Sequence, residues 1–249
     1  IAFLFVVGIV PMREVGDSFL NPPNTPNWLL YFASILIFMH VVLVFFRSHL
    51  NSNVFSKFKI RFTLFPIIIF IIMALNPALL LFVIPFSLVW DELHSALQTF
   101  GFGRIYDSKL GNDALLGRKY DMLLCFFIEY YPHITRMTIL PYKEFLQELD
   151  IFGSYTDSIF LIAPSLTYPM ITIGVLYLIF YIYKYRKLCK TGYKISSNKI
   201  ILYTLTGFVT IFTVCNYSIM EALIIGNIYH SIQYFAIVWV SERKNLVQR

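Results

Sequence analysis

Apolar residues run in long blocks along this chain, and the polar residues between them gather into short clusters. A block that meets or approaches the roughly 20 residues needed to cross a bilayer reads as a membrane helix, whereas a soluble core would show shorter amphipathic stretches. Eight such blocks are expected. They are Ile1 to Met12, Trp28 to Phe46, two pieces of the stretch Phe62 to Trp90, Tyr120 to Leu140, Ser158 to Tyr183, Lys199 to Asn216, and Ser218 to Val240. The third and fourth divide at Asn76-Pro77, because proline removes a backbone donor and disfavours helix at the residue before it. The first opens on Ile1 without an initiator Met, so it reads as the remainder of a truncated helix. It has neither the charged start nor the small-residue cleavage site of a signal peptide. The expected fold is therefore all-α: a polytopic integral membrane helical bundle of about eight transmembrane segments, forming a single domain over residues 1–249.

Loop charge orients these segments. Arg47, Lys57, Lys59 and Arg61 lie together without an acid, as do Lys184, Arg186, Lys187, Lys190, Lys194 and Lys199. Both clusters belong on the cytoplasmic side by the positive-inside rule. Glu144, Glu148, Asp150 and Asp157 fall in a loop three crossings from the first cluster, hence on the far side. Both termini are then cytoplasmic, and a bacterial inner membrane is the expected location.

Composition agrees with this reading. Hydrophobic residues make up 58% of the 249 positions and charged residues 14%, against about a quarter charged in soluble domains. The net charge of +6 resides in the loops, so it implies no nucleic-acid partner. Cys125, Cys189 and Cys215 are scattered and show neither a disulfide frame nor metal spacing. Gly-rich phosphate loops, nucleotide fingerprints and Gly-x-Ser-x-Gly are missing.

Ionisable residues inside membrane helices are costly and mark function by default. Two stretches resemble each other: Asp91, His94-Ser95 and Gln98 in one, Asn227, His230-Ser231 and Gln233 in the other. Positions i, i+3 and i+4 share a helix face, so each makes a polar stripe centred on histidine. Glu129 and His133 form another i, i+4 pair. Counted at 1.5 Å per residue from the nearest cytoplasmic charge, His40 lies about 10 Å deep, His94 and Glu129 about 15 Å, His230 about 18 Å and His133 about 21 Å. Imidazole with carboxylate oxygen suits iron or another transition metal, and facing helices can converge such ligands. His94, His230, His40 and His133 are thus candidate metal ligands, Glu129 and Asp91 candidate catalytic carboxylates, and Gln98 and Gln233 donors that orient the imidazoles. Interhelical hydrogen bonding by the same residues is the plainer alternative.

His230-Ser231-Ile232-Gln233-Tyr234-Phe235-Ala236-Ile237-Val238-Trp239 resembles the His-Ser-x-x-His-Phe-x-x-Val-Trp pattern of the bacterial membrane β-carotene 15,15′-dioxygenase (bacteriorhodopsin-related-protein-like) family. His230 matches the first histidine and Tyr234 stands at the second. His94 corresponds to a histidine-glycine motif in which Ser95 replaces the glycine. The resemblance implies an all-helical membrane fold with iron held on intramembrane histidines for oxidative cleavage of a carotenoid. The expected function is accordingly a histidine-centred membrane metalloprotein, an oxygenase of a lipophilic substrate such as a carotenoid or lipid. A non-catalytic subunit of a larger membrane complex and a transporter are the alternatives. Expected partners are the bilayer, a lipophilic small molecule or pigment, and other membrane subunits.

Overall fold

The computed structural model describes residues 27–76, 79–137, 156–216 and 219–247. Among these, the elements are all helical: α1 (Asn27–His49), α2 (Ser52–Lys57), α3 (Lys59–Leu75), α4 (Leu80–Lys109), α5 (Arg118–Met137), α6 (Thr156–Lys190), α7 (Ser197–Asn216) and α8 (Ile219–Val247). Four contain stretches long and apolar enough to cross a membrane: Tyr31–His49 in α1, Ser165–Lys190 in α6, Ser197–Asn216 in α7 and Ala222–Trp239 in α8. The all-α expectation holds, while the structure supports four spans rather than eight among the described residues. Helix α3 is apolar but only 17 residues long, and α4 and α5 carry many charges. The expected first segment, Ile1 to Met12, and most of the acidic loop Pro141 to Asp157 lie outside the described residues.

The break at Asn76 is where the sequence puts it. Helix α3 stops at Leu75, and the Asn76 N–H closes it on the Ile72 carbonyl. Elsewhere the helices outrun the apolar blocks. Helix α4 continues nearly twenty residues past Trp90 to Lys109, and α6 runs past Tyr183 to Lys190. The short α2 is capped by the Asn51 side chain, which accepts from the Val54 N–H at 3.3 Å.

By contacts the chain forms two compact units, one reaching to Ser87 and resuming at Leu223, the other Leu88–Ala222. In the first, α1 turns its Ala33, His40 and Ser48 face inward and α8 its His230, Ser231, Tyr234 and Val238 face. His49 clips α1 to α3: its Nδ1 pairs with the Ser48 hydroxyl at 2.8 Å, its Nε2 with the Phe62 carbonyl at 3.2 Å, and its ring stacks on Phe45.

In the second unit, α5 lies against both α6 and α7. Its core gathers Ala96 of α4, Leu124 and Cys125 of α5 and Tyr203 of α7, with Phe100, Ile128, Tyr177 and Tyr181 against them. Ring stacking joins Phe127 to Tyr131 and to Tyr177, with centroids 4.5 and 4.1 Å apart. The Tyr131 hydroxyl donates to the Met170 carbonyl at 2.5 Å. Such hydroxyls on aromatic bodies satisfy backbone acceptors while contributing large apolar area.

Candidate functional site

The candidate residues fall into the two units. In the first, His40 on α1 and His230 on α8 face each other with ring centroids 5.0 Å apart and planes tilted by 50°. Both are nearly sealed from the surface, at 9% and 4% exposure. The Tyr234 ring, one turn beyond His230, lies 4.4 Å from the His40 ring. Gln233 belongs to the same stretch, and both polar atoms of its amide are buried without a hydrogen-bonding partner. A buried amide left unmet costs about 1–3 kcal/mol, so this neighbourhood retains capacity for a polar guest.

The remaining candidates lie in the second unit. On α4 the inward stripe is Glu92, Ala96, Thr99, Gly103 and Asp107, stepping by four, three, four and four. Of the expected stripe on the same helix, Asp91 and Gln98 are half-buried and His94 is exposed. Glu129 of α5 is 4% exposed. Its carboxyl lies beside the hydroxyls of Ser95 and Thr99, and its Oε1 has no hydrogen-bonding partner. His133, one turn on, lies beside Glu92, Nε2 to Oε1 at 3.4 Å. The helix runs unbroken through Pro132. His133 therefore sits beside a carboxylate.

The most heavily built polar site in this unit was not expected. Lys199, counted from sequence as a loop charge, is 3% exposed at the start of α7. This corrects the loop assignment. Its Nζ donates to Asp107 Oδ2 at 2.7 Å, Asp121 Oδ2 at 2.6 Å, and the Tyr185 and Tyr193 hydroxyls at 2.9 Å each. Arg104 completes the set, 2.6 Å from Asp107 Oδ2 and 3.0 Å from Asp121 Oδ2. It also donates to the carbonyls of Asp113, Ala114 and Leu116. Tyr193 donates to Asp107 at 2.5 Å, while Tyr181 and Tyr185 donate to the second oxygen of Asp121. Burial holds the Tyr193 hydroxyl above its ordinary pKa, and its bond to Asp107 adds to the shift, so it remains a donor.

Two cations face two carboxylates, and every polar tip is engaged. Burying these charges costs several kcal/mol each unless they are paired in this way. The network ties the ends of α4, α5 and α7 to the turn Thr191–Ser196. It holds these elements together. A sequence signal existed, since Asp107 and Asp121 are acids that flank a net-basic run between two apolar blocks.

No protein-family model, curated protein or solved structure matches this chain.

Proposed function

We propose that this chain is a multi-pass membrane protein that holds a transition-metal ion on His40 and His230 and oxidises a lipophilic substrate there with oxygen. The supporting observation is the spacing of the two imidazoles. A metal–nitrogen bond of about 2.0–2.1 Å places each ring centre about 3 Å from the ion, so two ligands at a tetrahedral angle have centres about 5 Å apart. The observed separation is 5.0 Å. The rings come from two helices that are apolar along most of their length. An iron ion bound there would supply oxygen activation. The protein's own part is to orient the imidazoles, to offer the unmet amide of Gln233, and to keep water out. Tyr234 places a phenol against His40, at the position where the resembled dioxygenase family has its second histidine.

Eight crossings with both termini cytoplasmic remain the proposed topology, with the described spans α1, α6, α7 and α8 as its anchors. A second reading, a non-catalytic subunit, draws on α3. None of its 17 residues is buried, which suits a partner helix as well as lipid.

Elemental mass spectrometry of the detergent-purified protein distinguishes the readings. Wild type should carry stoichiometric metal, and His40→Ala or His230→Ala should lose it while keeping helical content. If the histidines are interhelical glue, the wild type carries no metal, and each substitution costs only about 1 kcal/mol of helix association.

A further inference from the structure

Next to the charge network, the last turns of α4 and the loop that follows border a half-open cleft of about 340 Å³. Phe100, Gly101, Arg104 and Ser108 line it from one side of α4, Asn112 from the loop, and Arg118 from the first residue of α5. Two arginines and no acidic side chain face this space. Arg104 is fixed in orientation by the network, whose four charges cancel. Burial alone would lower its pKa, but the bond to Asp121 and the charges of Asp107 and Asp121 more than offset this. The exposed Arg118 stands outside the network and leaves the cavity net positive. The start of α5 adds the partial positive charge of a helix N-terminus. Asn112 is held at both ends, donating to the Lys194 carbonyl at 2.8 Å and accepting from its N–H at 3.0 Å, so this wall is preformed.

At roughly 30 Å³ per water-sized group, the space takes about ten such groups, more than a bare phosphate needs. Phe100 and Gly101 give it an apolar floor. A methyl added at Gly101 would meet nothing within 4 Å, so the floor is open. We propose that this pocket binds a phosphate ester, with the headgroup and glycerol of an anionic phospholipid as the occupant that a membrane protein meets. The proposal does not depend on the histidine pair.

The test uses the full chain in detergent, titrated with short-chain phosphatidylglycerol or with inorganic phosphate and followed by native mass spectrometry. Phosphatidylglycerol should bind saturably, Arg118→Gln should weaken it about tenfold, as expected for one lost charge-assisted contact, and Gly101→Leu should abolish it by filling the floor. Inorganic phosphate should compete only at far higher concentration. Competition at equal concentration would retain the phosphate site and assign it to a soluble ester. Unchanged phosphatidylglycerol binding in both variants, or no saturable binding of either probe, would overturn the proposal.

Discussion

Replacing Lys199 by Met should destabilise the protein by about 3–5 kcal/mol, the usual cost of removing one partner from a buried ion pair. The Lys199 ammonium touches both buried carboxylates and two of the three tyrosine hydroxyls of the network. Without it, Asp107 and Asp121, each fully buried, would share the single charge of Arg104. The Met side chain fills most of the volume, so the loss is electrostatic rather than a cavity effect. Adding Asp107→Asn to Lys199→Met restores the charge balance and should recover part of the loss, a coupling expected of residues in one network. Thermal unfolding in detergent, followed by circular dichroism, measures both variants. A Lys199→Met protein within 1 kcal/mol of wild type would show that the network is solvated and weak, in the range of exposed pairs.

Gly103→Ala should be the most damaging of the small substitutions on α4. A methyl at Gly103 would overlap the Tyr203 hydroxyl and stand 2.6 Å from Cζ and 3.0 Å from Cε1 of that ring. Tyr203 is 7% exposed within the core cluster of Ala96, Leu124 and Cys125, so its rigid ring has nowhere to move without disturbing them. Overpacking of this kind costs about 1–3 kcal/mol. Helix propensity returns up to about 1 kcal/mol for Gly to Ala, which leaves a net loss. Gly101→Ala, two residues away and facing open space, should gain that propensity without a penalty. Tyr203→Leu in the Gly103→Ala background should relieve the overlap. Equal melting temperatures for Gly103→Ala and Gly101→Ala would contradict the close approach of α4 and α7.

The long apolar helices were legible because hydrophobic length alone determines them, and the Asn76 break because a proline follows it. The continuation of α4 was less visible. Past Trp90 the hydropathy falls, and Gly101 and Gly103 look like a helix end. The stripe Glu92, Ala96, Thr99, Gly103, Asp107 carries the helical period instead, in small and polar residues that a hydropathy reading passes over. Lys199 was misassigned for a related reason. A lysine at the edge of an apolar block looks the same whether it reaches for headgroups or for two aspartates some eighty to ninety residues earlier in the chain, and only tertiary contact decides. For the candidate site, the residue types were legible, but which of them meet within each unit was not. Depth along each helix placed His40, His94, Glu129 and His230 in one layer, yet rotation about the helix axes settles which side chains meet. That rotation pairs His40 with His230 and His133 with Glu92.

The central claim, a metal held by facing imidazoles, is tested most directly by X-ray absorption spectroscopy of the metal in the purified protein. The account predicts the multiple-scattering signature of two imidazoles at metal–nitrogen distances of about 2.0–2.1 Å, falling to one or none in His40→Ala and His230→Ala. A metal bound without imidazole scattering, or a signature unchanged by either substitution, would contradict it.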